Sequence, residues 1–236
     1  MMSIRPTIAL TATLLCIGGC ASNGVSYDPL EPVNRGIYKF NDAVDKAVLK
    51  PVAKGYKEVV PSPVRTGVGN FFGNLGDVVV TVNDFLQFKL DRTASDFSRV
   101  FFNSTFGVLG IFDVATGWGL EKHNEDFGQT LGYWGVGNGP YLVLPFLGPS
   151  TLRDSIGLYA DSYVDPVWNT KQVPTRNSLV ATETVDARAR ALGVEKMVEE
   201  AALDPYVFVR DAYLQRRRNL VYDGNPPHEK LEDDDQ

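Results

Sequence analysis

The chain has 236 residues, 23 of them basic and 29 acidic, for a formal net charge of −6, and 44% of its residues are hydrophobic. That is enough apolar material for one sizeable domain, and the acidic balance argues against nucleic acid as a partner. Its two cysteines, Cys16 and Cys20, stand only four positions apart near the start.

Arg5 precedes an apolar segment from Ile8 to Ile17, the layout of a secretory signal peptide and too short for a stop-transfer helix. The segment ends on Ile17, Gly18, Gly19 and Cys20, which resemble the lipobox of bacterial lipoproteins, where small residues admit the signal peptidase and the thiol receives lipid. Residues 1–19 are therefore expected to leave as the signal, with Cys20 as the lipid-attachment residue. Only Arg5 among the charges departs with them, leaving 22 basic and 29 acidic residues, net −7. The mature chain then has no second cysteine, so neither a disulfide framework nor a thiolate metal site is available. An ordinary secreted protein would instead carry a free thiol into an oxidising compartment, which is a liability. Ala21 stands where aspartate usually signals inner-membrane retention in enteric bacteria, so the outer membrane is favoured. Three acyl chains, at about 0.8 kcal/mol per buried methylene, would anchor the chain firmly.

Residues 20–27 read as a short lipidated tether. Asp28 reads as a helix cap, with Pro29 in the first position and Glu31 three residues after the cap. Leu30, Val33, Ile37, Phe40, Val44 and Val48 then recur at helical spacing and form an apolar stripe. Pro51 opens a second helix through Val60, closed by the sequence PSP. Val64, Val68, Phe71, Phe72 and Leu75 give a further apolar face, thinned by Gly67, Gly69, Gly73 and Gly76. The valine run in DVVVTVNDFLQFKL suits either a strand or a helix, and the helix is preferred. From Ser95 the helical pattern runs through Phe97, Val100, Phe101, Ser104, Val108, Ile111 and Phe112 until TGWG stops it near Gly117.

The stretch GQTLGYWGVGNGPYLVLPFLGPS has five glycines between Gly128 and Gly139, then Pro140, Pro145 and Pro149. It reads as an ordered irregular loop with one short extended piece at Tyr141 to Leu144. Ser150 is the expected cap of a helix to about Tyr163. Two more helices are expected, one around Val180 to Ala202 and one from Pro205, capped by Asp204, to about Val221. Residues 223–236 form an acidic tail with a proline pair, read as disordered.

Catalytic signatures are missing. There is no phosphate loop, nucleophile elbow or paired-histidine zinc helix. Of two histidines, His228 lies in the tail, so a serine triad has little to build on. His123 stands beside Glu121, Glu125 and Asp126; the cation-site reading is weaker than one of caps and solvated charge. Arg153 and Asp154 read more readily as a helix-surface ion pair than as a site. No catalytic residue, metal or cofactor is assigned. Trp118, Trp134, Trp168 and ten tyrosines suit a membrane interface, and no apolar run after the signal is long enough to span a bilayer.

In order along the chain, DPLEPVNRGIYKFN, NFFGNLGDVVVTVNDFLQ, FFNSTFGVLGIFDVA, FGQTLGYWGVGNGPYLVLPFLGPSTLRD and DPYVFVRDAYLQRR resemble the successive motifs of the VacJ/MlaA family. The resemblance runs from Asp28 to about Leu220, with little match between Asn169 and Leu192. It implies an all-α fold over residues 28–222, a single ring-like domain of amphipathic helices seated in the membrane interface, with the Gly/Pro-rich loop among them. It further implies a lipoprotein on the periplasmic face of a Gram-negative outer membrane. Such a protein removes phospholipid misplaced in the outer leaflet and passes it to a periplasmic carrier protein, usually beside porin trimers, without being an enzyme. The alternative is a lipoprotein that only scaffolds a porin or envelope complex. A head group crossing hydrocarbon needs a polar path, for which polar residues on otherwise apolar segments are the candidates: Asn41, Asn83, Asp84, Asn103 and Arg153. Each also suits a cap or a buried hydrogen-bond partner.

Overall fold

Helix α1 spans Glu31–Val44 and runs through a π-helical turn, Asp45–Leu49, into α2, Lys50–Val59. The computed structural model describes residues 28–227, and for residues 194–201 the backbone alone. The signal, Cys20, the tether and His228 lie outside the described residues. Asp28 acts two residues before the cap: its carboxylate accepts from the Leu30 amide at 3.1 Å and from Asn34 Nδ2, while Leu30 is the capping position.

After a turn at Pro61, α3 runs unbroken over Ser62–Leu86, so the valine run is helical and belongs to the same helix as the glycine-thinned face before it. A left-handed residue, Phe88 at φ 58°, turns the chain into α4, Leu90–Thr105, which packs back along α3. The helical pattern expected to reach Gly117 stops here. Val108, Leu109 and Gly110 all have positive φ, and the chain makes an irregular corner before the one-turn helix α5, Val114–Gly117. At that corner Gly110 faces Asn74 so closely that a β-carbon would lie 2.6 Å from the Asn74 side chain.

The glycine-rich stretch is not wholly irregular. Asp126 caps a short helix, α6, Phe127–Tyr133, by accepting from the Gln129 amide at 2.9 Å. Gly128 is there for packing: a β-carbon on Gly157, in the helix that follows the stretch, would lie 2.3 Å from the Gly128 nitrogen, so the two backbones meet without side chains between them. Next comes an antiparallel hairpin, β1, Tyr141–Leu144, and β2, Gly148–Thr151, which pairs Tyr141 with Thr151. The extended piece at Tyr141 to Leu144 is thus present with a partner. Ser150 is the third residue of β2, and Thr151 instead caps α7, Leu152–Asp161, by accepting from the Asp154 amide. Helix α8, Val173–Ala201, starts earlier than its apolar pattern indicated and packs on α2. Asp204 caps α9, Pro205–Val221, with bonds from the Tyr206 and Val207 amides.

The fold is all-α apart from this one hairpin. Its apolar core is small: Tyr141, Val143 and Tyr206 are buried, with Ile37, Tyr38, Val207, Tyr213 and Leu214 packed against them. No described helix is long and apolar enough to cross a membrane.

Candidate functional site

The amphipathicity of several helices is inverted. On α4 the buried residues are Asp96, Arg99 and Asn103, while Leu90, Phe97 and Phe101 face outward, Phe97 at 62% exposure. On α3, Asn74, Asp77, Asn83 and Asp84 are buried and Phe85 is exposed. The corner between α4 and α5 projects Phe106, Val108, Leu109, Ile111 and Phe112 outward. Among the described residues, buried polar and charged side chains outnumber buried apolar ones. Water is a poor solvent for such an exterior, since soluble domains seldom expose large contiguous apolar patches.

Inside lies a polar cavity of about 520 Å³ between α2, α3, α4 and α8. One stripe of α3 forms its wall: Ser62, Arg65, Thr66, Gly69, Asn70, Gly73, Asn74 and Asp77 alternate steps of three and one. That is one helical face about 22 Å long at 1.5 Å per residue. Gly69 and Gly73, about one turn apart, keep the middle of the wall free of bulk.

At the Asp77 end Arg99 is buried, donating to both Asp113 oxygens at 3.1 and 3.0 Å, to Thr116 Oγ1 at 3.0 Å and to Leu120 O at 2.6 Å. Its Nε stands 3.6 Å from Asp77 Oδ2, and Lys122 Nζ reaches Asp77 Oδ1 at 2.5 Å. Burial pushes the Asp77 carboxyl up despite Lys122. Burial also acts against ionisation of Asp113, but bonds from Thr116, Asn103 and Arg99 outweigh it and hold that carboxyl at about 2. Breaking such a buried pair from one side leaves an uncompensated charge, at about 3–5 kcal/mol.

At the Ser62 end, Arg65 Nη1 donates to Val60 O at 3.0 Å and to Lys57 O, which holds the guanidinium at the α2–α3 corner. Asp186 of α8 is buried, accepting from Tyr56 Oη at 3.0 Å and lying 3.1 Å from Arg190 Nη2.

Of the five polar positions singled out in the sequence, only Asn103 lines this cavity. It donates to Asp113 at 3.0 Å and accepts from the Ala115 amide at 2.9 Å. Asn41 clamps the hairpin turn, donating to Leu144 O at 2.9 Å and accepting from the Phe146 amide at 2.8 Å. Asn83 is buried between Thr130 and Asp161. Asp84 is fully buried, and burial, then the adjacent Asp96, pushes its carboxyl up to about 7. Arg153 and Asp154 pair at 3.0 Å but are buried rather than on a helix surface, because Arg217 bridges Asp154 and Asp126 and Tyr213 donates to Asp154.

The acidic loop is likewise less solvated than its composition implied. Asp126 is a cap, but Glu125 is buried against Gln87 and Lys89, and His123 Nδ1 lies 2.8 Å from Asp96 Oδ2. No group of three or more His, Cys, Asp or Glu able to hold a metal occurs among the described residues. Sequence reading missed Lys57, Arg65, Asp77, Arg99, Lys122, Asp186 and Arg190. The polar and glycine stripe of α3 was the available signal, hidden beneath the more conspicuous apolar one.

The family model for MlaA lipoproteins matches residues 26–220. The chain belongs to the MlaA lipoprotein family. Similar members include the intermembrane phospholipid transport system lipoprotein MlaA of Escherichia coli K12, 38% identical and covering 96% of this chain and 94% of the relative. The protein of the same description from Haemophilus influenzae is 35% identical, covering 99% and 98%. The fold also matches a solved structure described as the structural basis for maintenance of bacterial outer membrane lipid asymmetry, with a TM-score of 0.73, 35% identity, 84% of this chain and 100% of that chain. The MlaA-family chain is therefore related to these proteins over nearly its whole length, including residues 169–192, where the motifs themselves were weakest.

Proposed function

We propose that this MlaA-family chain is an outer-membrane lipoprotein, anchored through Cys20, that removes phospholipid from the outer leaflet and hands it to a periplasmic carrier beside porin trimers. The observation that carries the reading is the inverted packing: apolar faces outside, a charged cavity inside, and no described helix fit to cross a bilayer. Such a body seats itself in one leaflet by its exterior, while its interior offers a head group a polar route through a layer about 30 Å thick. Residues 20–27 serve as the tether and the acidic segment after Asp223 as a tail. Asn103 lines the route; Asn41, Asn83, Asp84 and Arg153 lie outside it, within the packing of the rest of the fold.

The work is transport without bond cleavage. Deleting the gene should raise phospholipid in the outer leaflet, and restoring it should return the level to normal, with every lipid carried by the purified protein an intact diacyl species. An unchanged outer leaflet would favour a scaffold, and release of lysophospholipid or fatty acid would favour an esterase.

A further inference from the structure

The geometry points to a subsite for a phosphate ester bearing a primary amine, the phosphoethanolamine head group, at the Ser62 end of the cavity, with Lys57, Arg65 and Arg190 on the phosphate and Asp186 on the amine. This rests on the transport reading and adds a preference among head groups.

Lys57 and Arg65 have no carboxylate partner among the described residues, although both line the cavity. Most other cations there are committed: Arg99 to Asp113 and Lys122 to Asp77. Asp186 is 1% exposed, with Oδ1 satisfied by Tyr56, while Oδ2 is buried without a hydrogen bond; Arg190 stands near it but is misaligned for one. A buried carboxylate oxygen in that condition is a costly vacancy unless a donor visits it.

The space in front of it is kept open by Gly69. A β-carbon there would lie 2.9 Å from Arg190 Nη1 and 3.5 Å from Asp186 Oδ2. Gly69 is one turn beyond Arg65, about 6 Å along α3. Asp186 Oδ2 thus faces the gap at Gly69, while Lys57 and Arg65 line the same cavity toward its Ser62 end, the order that an amine and a phosphate joined through an ethylene bridge require. The amine would donate to Asp186 Oδ2, a charge-assisted bond that phosphoglycerol cannot reproduce with its charge and phosphocholine cannot make at all, having no N–H.

The full lipidated protein, purified in detergent, should be mixed with micelles of phosphatidylethanolamine, phosphatidylglycerol and phosphatidylcholine in equal amounts, repurified, and its head groups counted. The ethanolamine lipid should be enriched about tenfold over each of the others, the scale of one hydrogen bond to a charged group. Asp186→Asn should erase that preference, bringing capture of the ethanolamine lipid down to the level of the other two while theirs stays as in wild type, since Arg190 is left half exposed and hydrated. Gly69→Val, which leaves every charge in place and fills the gap, should erase it too. Lys57→Gln combined with Arg65→Gln should lower capture of all three lipids several-fold. Equal capture by wild type, or a preference surviving Asp186→Asn, overturns the subsite and leaves transport standing. Capture of no phospholipid, with or without binding of soluble phosphoethanolamine, overturns the transport reading and the subsite together.

Discussion

Asp84 is a carboxyl placed where ionisation is opposed from several sides. It sits at the end of α3 with no exposure, with Asp96 of α4 beside it, Glu125 of the loop before α6 adding negative charge, and Lys89 opposing them. With its carboxyl raised to about 7, the folded protein keeps a proton that the unfolded chain releases near pH 4. Stability attributable to this group is therefore present at low pH and is lost as the pH rises from about 4 through about 7. The raised carboxyls of Asp77, Glu125 and Asp161 act in the same direction. The midpoint of chemical denaturation should be higher at pH 5.5 than at pH 8, and Asp84→Asn, which fixes the neutral form, should shrink that difference. An equal slope in the variant would show that another group dominates.

At the scale of elements, two contacts carry the architecture and each has its own test. Helices α6 and α7 cross with Gly128 against Gly157, and the atoms a Gly157 side chain would strike are backbone, which cannot rotate aside. Gly157→Ala should destabilise the fold by about 3 kcal/mol, seen as a clearly lower melting temperature in detergent. Helix α4 makes the opposite case, since its apolar side is not needed for folding. Phe97→Ser with Phe101→Ser removes mostly exposed surface, with one ring contact from Phe101 to Phe102, so the melting temperature in detergent should fall only slightly. Liposome binding by the unlipidated domain should fall by about tenfold per phenylalanine, for roughly 1.4 kcal/mol each. Binding unchanged by the pair would assign these rings to something other than lipid.

For the whole molecule, anchoring and seating are separable. Cys20→Ser should release the protein into the periplasmic fraction and abolish lipid removal in cells, yet the unlipidated domain should still float with liposomes through its apolar exterior. Full activity from a soluble, unlipidated form would sink the assignment of the anchor. The tail belongs to the body for several residues beyond α9: Asp223, grouped with the tail in the sequence, meets Lys89 at 2.7 Å and Arg92 at 2.5 Å, the Gly224 amide donates to Asn219 O, and Pro227 O accepts from Arg218. A truncation intended to be neutral should therefore spare residues 223–227 and start at His228.

Much of this protein is legible in one dimension because local rules wrote it. The cap at Asp204, the proline starts of α2 and α9, and the helical spacing of the apolar residues depend on neighbours within a turn. The small-residue run ending on Cys20, which resembles a lipobox, and the order of the family motifs are likewise linear information. Other features depend on residues distant in sequence. Five glycines in a short run read as a loop because each lowers helix propensity, yet α6 forms where Gly128 lets α7 approach its backbone. Glu125, Arg153 and Asp154 read as surface charge because partners such as Lys89 and Arg217 are far away along the chain. Most of all, an apolar stripe and a polar stripe on one helix define two faces without saying which is inside. In α3 and α4 only packing against each other, α8 and the α5 corner turned the charged faces inward, because Asp77, Arg99 and Asn103 found their partners there while Phe85, Phe97 and Phe101 were left at the surface.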